Sequence, residues 1–176
     1  MSGGSGLIHL YIGNGKGKTT ASVGLSVRAA GRDKRVVFAQ FLKSGFTGEL
    51  RSLETLGIVV IRSEIPLGFT HLMDEAAKAA CANEQGKVWN RVMEAIQAEP
   101  VDLLVLDEVL DALTTKMLDE QVFRSFVENK PAELELVLTG RGPAEWLVEK
   151  ADYISEVKKV KHPFDRGMPA RVGIEK

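Results

Sequence analysis

The chain has a single cysteine, Cys81, among its 176 residues. Neither a disulfide framework nor a cysteine-based metal site can be built from it, and a reducing, cytoplasmic setting is expected. The chain also lacks an excess of either charge, with 23 Lys and Arg against 24 Asp and Glu. That balance excludes the broad cationic face that holds nucleic acid by counterion release, so any anion must be bound locally. No apolar run approaches the roughly 20 residues of a membrane-spanning helix, and Met1 to Gly6 has no apolar signal-peptide core. No Pro/Gly/Ser-rich linker divides the interior. The expected organisation is a disordered leader over 1–6, one α/β domain over 7–160 and a C-terminal tail over 161–176.

The chain does have a glycine-rich loop at a telling place. Gly13-Asn14-Gly15-Lys16-Gly17-Lys18-Thr19-Thr20 follows a short apolar run, Leu7 to Ile12, and precedes a segment with apolar residues at Ala21, Val23, Leu25, Val27 and Ala30. Strand, loop and helix in that order form a phosphate-binding loop: glycines let successive N-H groups converge on an anion, Lys16 and Lys18 add charge, and Thr19 offers a hydroxyl to Mg²⁺. The usual pattern, G-x-x-x-x-G-K-[ST], would place its first glycine at position 12. Here that residue is Ile12, and Gly13 comes one place late.

Further apolar or β-branched runs at Arg35 to Phe41, Ile58 to Arg62, Asp102 to Leu106, Glu133 to Thr139 and Tyr153 to Val160 read as strands. Helical spacing runs from Met73 to Ala98, with Ala76, Ala80, Val88, Val92 and Ile96 placed to share one face. Asp119 is placed to cap a second helix over Val122 to Val127, and a third follows Pro143 through Glu149. The expected fold is therefore α/β: a parallel sheet with helices on both faces, of the RecA-like phosphate-loop type. Ligands in such sheets bind beyond the carboxyl ends of the strands, which gathers the loop, Gln40 to Ser44, Asp107-Glu108 and Thr139 to Gly142 at one edge.

An apolar strand ending in Asp107-Glu108 suits Mg²⁺, because a hard divalent ion takes oxygen ligands and the phosphates supply the remainder. Thr19, Asp107 and Glu108 are the candidate metal ligands. Arg141, between Gly140 and Gly142, is placed to reach a phosphate or carboxylate. Phe69, in a loop with Pro66, Gly68 and His71, reads either as the wall of a flat ligand or as a residue buried beneath the loop. The residues alone leave three functions open: group transfer from a nucleotide, cleavage of a phosphoanhydride bond by an NTPase or small-molecule kinase, and nucleotide-dependent binding without catalysis.

Together these segments resemble the ATP:corrinoid adenosyltransferases of the cobalamin pathway over nearly the whole chain. The marks are the loop 13–20 with a non-glycine before it, Gln40-Phe41-Leu42-Lys43, Gly48-Glu49, Gly68-Phe69-Thr70, Leu106-Asp107-Glu108, Thr139-Gly140-Arg141-Gly142 and a tail reading His162-x-Phe164-x-x-Gly167-x-x-Ala170-x-x-Gly173-Ile174-Glu175. The late glycine is a feature of that family's loop. The resemblance implies transfer of the 5′-deoxyadenosyl group of ATP, held in reversed orientation, to cobalt(I) of a reduced corrinoid, with triphosphate leaving. It implies catalytic roles for Lys16, Lys18, Thr19 and Glu108, nucleotide contacts from 13–20 and Arg141, and corrinoid contacts from Phe69, His71, Gln40, Lys43 and Glu49. It further implies Mg²⁺, with Mn²⁺ as a substitute, a homodimer, and an electron-donor protein such as a flavodoxin. The chain departs from the family at His71, where some relatives have tryptophan, in its short leader, and at Lys176, where an aromatic residue is common.

Overall fold

Alternate residues of the central strands feed two separate cores. In the computed structural model, which describes residues 5–66, 68 and 72–175, the strands are β1 (Ile8–Ile12), β2 (Val36–Gln40), β3 (Val59–Arg62), β4 (Leu103–Asp107), β5 (Glu135–Gly140) and β6 (Tyr153–Glu156). They form one sheet in the order β3-β2-β4-β5-β1-β6, with every neighbouring pair parallel. Val37, Ala39, Leu104, Leu106, Leu136 and Leu138 belong to one core, while Val36, Phe38, Leu103, Val105 and Val137 belong to the other. A side-chain period of two requires that division.

Both faces are covered. The first core takes in α3 (Glu75–Ala98), α4 (Val109–Thr114), α5 (Glu120–Glu128) and α6 (Glu145–Lys150) through Trp89, Leu110, Phe123 and Leu147; the second takes in α1 (Lys18–Ala30) and α2 (Gly48–Thr55) through Ala29 and Leu53. The α/β class and the parallel sheet expected from the sequence are the observed ones. Since β5 separates β1 from β4, the arrangement is RecA-like, and register aligns Ile12 with Gly140 and Gln40 with Asp107 along a single edge.

Several local expectations need correction. Ala76 and Ala80 are exposed, and the buried face of α3 is Cys81, Glu84, Gln85, Val88, Trp89 and Val92. In α1 the fully buried residues are Ser22 and Ser26, whose hydroxyls donate to Thr19 O and Ser22 O, with Val23, Leu25 and Ala29 half-buried against the second core and Ala21 and Val27 exposed. Small side chains let the helix lie close to the strands. β6 stops at Glu156 rather than Val160 because the chain then turns onto the glycine loop, Gly15 N donating to Val157 O. The short helices α2 and α4 were not foreseen. Of the leader, Ser5 and Gly6 are docked, each donating to Ala132 O. No helix among the described residues is long and apolar enough to cross a membrane.

Asp119 caps α5 as its position predicts, its carboxylate accepting from Gln121 N and Val122 N at 2.8 and 2.9 Å. That helix carries the buried Phe123 and Val127 into the core. Asp119→Ala should therefore lower global stability by about 1 kcal/mol in urea denaturation. An unchanged midpoint would show that the packing of Phe123 alone holds the helix.

Candidate active site

The glycine loop is shaped by what lies behind it. Gly13 has φ 111°, and a Cβ there would lie 2.4 Å from Val157 O, so only glycine fits. Gly15 N donates to Val157 O at 2.8 Å, and Asn14 Oδ1 accepts from Lys159 N at 2.9 Å. These contacts pin the loop's outer side to the chain after β6. Lys18 Nζ reaches across the loop to Gly13 O and Gly15 O at 2.7 and 3.1 Å. Burial lowers the pKa of this lysine, and the nearby Arg141 guanidinium adds to the effect against the pull of Asp111, Glu108 and Asp107.

Asp107, fully buried at the end of β4, is the centre of the polar cluster. Its Oδ1 accepts from Thr19 Oγ1 at 2.9 Å and from Thr139 Oγ1 at 2.7 Å, and its Oδ2 accepts from Gln40 Nε2 at 3.3 Å and from Lys43 Nζ at 2.7 Å. Thr139 also accepts from Glu108 N at 2.9 Å, which ties β5 to the turn after β4. Lys43 Nζ lies 3.1 Å from Thr19 Oγ1 and 3.3 Å from Glu108 Oε1. Burial by itself would lower the pKa of Lys43, but Asp107 and Glu108 together hold it above the ordinary lysine value. Burial pushes the Glu108 carboxyl up; Lys43 opposes that rise and Asp107 adds to it.

The cluster opens into a cleft of about 1280 Å³. Its end at the glycine loop is lined by Gly15 to Thr20, Lys43, Glu108 and Arg141; its other walls include Glu49, Gly68 and the tail residues Phe164, Met168 and Ile174. Gly13 and Asn14 line instead a neighbouring cavity of about 500 Å³, shared with Arg141, Lys158 and Lys159. Thr19 and Asp107 meet as the metal reading requires, and Glu108 joins them through Lys43 rather than by touching Thr19. Gln40 is placed differently from the expectation of a corrinoid contact: it is fully buried, and its Nε2 is shared between Asp107 and Glu49 Oε1, each at 3.3 Å. It steadies carboxylates from beneath the floor. Lys43, also expected at the corrinoid, sits within the acidic cluster, and Lys16 points to Glu175 Oε1 at 3.3 Å. Phe69, Thr70 and His71 lie outside the described residues.

Residues 4–175 match the model of the family described as ATP:corrinoid adenosyltransferase BtuR/CobO/CobP. The chain belongs to the ATP:corrinoid adenosyltransferase family. It is 34% identical over 173 residues to a corrinoid adenosyltransferase of Escherichia coli (strain K12), covering 97% of this chain and 85% of that protein. It is 35% identical, again over 173 residues, to the corrinoid adenosyltransferase CobA of Salmonella typhimurium (strain LT2), with the same coverage. A Sinorhizobium corrinoid adenosyltransferase is likewise 35% identical, with 80% of its length covered.

Within this family member, Asp111 is a cleft residue that the sequence reading passed over. Its Oδ2 accepts from Arg141 N at 3.1 Å, and burial raises its pKa while Arg141 and Lys18 pull it down. It lies in the first turn of α4, a helix too short to announce itself by apolar periodicity. Gly140, at φ 142°, gives it room: a Cβ there would lie 2.5 Å from Asp111 Oδ2.

Lys43→Met would leave buried Asp107 without its cation. The expected loss of stability is about 3 kcal/mol, the low end for breaking a buried pair, since Lys43 is partly exposed and three neutral donors to Asp107 remain. Chemical denaturation at neutral pH measures it, and a loss under 1 kcal/mol would show that those donors suffice.

Proposed function

We propose that this chain transfers the 5′-deoxyadenosyl group of ATP to cobalt(I) of a reduced corrinoid. The cobalt electron pair forms the Co-C bond at C5′, the C5′-O bond breaks, and its electrons leave on inorganic triphosphate. The observation that carries the reading is the single cleft joining a phosphate loop to an apolar-walled space. Its volume of about 1280 Å³ exceeds the roughly 300–1,000 Å³ of ordinary small-molecule pockets, as two substrates require.

Displacement at carbon needs no side-chain nucleophile. It needs the reacting atoms in line and the growing charge on the leaving group stabilised. The N-H groups of the loop, with Lys18, supply that stabilisation at the triphosphate, and Arg141 stands at the same end of the cleft. Thr19 Oγ1 and the Asp107 carboxylate, 2.9 Å apart, are oxygen ligands of the kind Mg²⁺ takes, with phosphate oxygens to complete its shell, and the Lys43 ammonium pairs with the same carboxylate. When bound, Mg²⁺ would add charge stabilisation to the leaving triphosphate, and Mn²⁺ offers the same ligand preference.

A kinase or NTPase would instead need a base or a water-orienting group at the terminal phosphate. The carboxylates at the loop end of the cleft are already engaged, Asp107 by its four donor residues, Glu108 by Lys43 and Asp111 by the backbone N-H of Arg141. That favours adenosyl transfer. The family reading also brings a cytoplasmic homodimer supplied with electrons by a protein such as a flavodoxin.

Anaerobic incubation with Mg-ATP and a chemically reduced corrinoid should yield a light-sensitive Co-C bond and stoichiometric triphosphate. ADP and phosphate as products would overturn the reading. Lys18→Ala should slow the transfer by about 10²–10³-fold, the loss typical of one preorganised charge-stabilising donor. Single-turnover kinetics with pre-reduced corrinoid measures it, and a loss below tenfold would remove Lys18 from the leaving-group role.

A further inference from the structure

The tail is fastened to the phosphate loop through one carboxylate. Glu175 Oε1 lies 3.3 Å from Lys16 Nζ and 2.8 Å from Arg171 Nη2, and Glu175 Oε2 accepts from Arg171 Nε and Arg171 N at 3.1 and 2.9 Å. The bonds from Arg171, reinforced by Lys16, hold its pKa at about 2, so it is charged at any working pH. On the loop's other side, Asn14 accepts from Lys159 N while Lys159 Nζ pairs with Asp165 at 2.9 Å. Between these two ties run Phe164, Met168 and Ile174, exposed apolar residues on the cleft wall.

The Lys16 tie is built to be exchanged. An exposed ion pair held by a long lysine is weak, and this lysine belongs to a loop whose N-H groups gather a triphosphate. A polyanion bound there attracts the Lys16 ammonium and repels the Glu175 carboxylate, and Arg171 keeps that carboxylate satisfied once Lys16 has turned away. We propose that Glu175 is a positioning residue through which Lys16 exchanges between the tail and the triphosphate, so that filling the phosphate site frees the tail edge of the cleft. The inference deepens the proposed function, on which it rests only for the identity of the second substrate. Glu175 opposes phosphate binding and makes the tail report on it.

The probe is Mg-tripolyphosphate on the full chain, which requires neither corrinoid nor Co-C bond formation. In the unmodified protein, amide hydrogen exchange over 163–175 should quicken when tripolyphosphate binds. Glu175→Gln should exchange quickly without it and show no further change, whereas Glu175→Asp, which keeps the charge, should retain the response. By calorimetry, Glu175→Gln should bind tripolyphosphate about two- to fivefold more tightly, the range of one exposed ion pair. A tail whose exchange ignores tripolyphosphate in the unmodified protein would overturn the proposal, as would a Glu175→Gln variant that binds it equally or more weakly. Failure of adenosyl transfer would appear in the product assay and leave these readouts intact.

Discussion

The site depends on keeping a charged carboxylate, Asp107, completely out of water. Removing such a group from solvent costs several kcal/mol unless donors replace the lost hydration. The four donors come from three separate segments: Thr19 at the start of α1, Thr139 in β5, and Gln40 at the end of β2 with Lys43 just beyond it. No local segment could assemble that set. The strand order does so, because β4 lies between β2 and β5 and all run parallel, so their carboxyl ends meet at one edge.

The same demand accounts for local backbone choices that would otherwise cost stability. Glu108 has φ 59°, the left-handed region, which costs a non-glycine residue about 1–2 kcal/mol. That turn lets its N-H donate to Thr139 Oγ1 while its carboxylate meets Lys43. Gly140 leaves space for Asp111, and Asp111 fixes the backbone of Arg141. Asp107 and Glu108 both restrain Lys43, a cation that a bound triphosphate would attract.

The fold was legible where one physical signal dominated. β2 and β4 are buried at every position and read as continuous apolar runs, and Asp119 announced its helix by capping chemistry. Legibility failed where packing outranked hydrophobicity: the residues of α1 buried completely are Ser22 and Ser26, while apolar Ala21 and Val27 are exposed. In the site, the loop and its partnership with the acidic end of β4 could be read from types and order, but which of Asp107 and Glu108 meets Thr19 could not. The partners of Gln40, Lys43 and Lys16 could not, since each depends on elements distant in sequence. Gln40 and Lys43 carry family motifs, yet their geometry assigns them to the carboxylates, a distinction that motif matching does not make.

The late glycine of the loop shows how sheet and chemistry meet. β1 continues through Ile12, which is held in register between Gly140 of β5 and Glu156 of β6, while Val157 N donates back to Ile12 O. A residue paired on both sides cannot begin a turn, so the turn starts at Gly13, where the carbonyl of Val157 excludes any side chain. The shift therefore follows from an edge strand whose continuation braces the loop from outside. That brace leaves the inner rim, Gly15 to Thr20, facing the large cleft, and it leads directly into the tail that forms the cleft's far wall. In the proposed reaction, a loop held this way would stabilise charge on a departing triphosphate while the carbon end of the nucleotide met the second substrate across the same space.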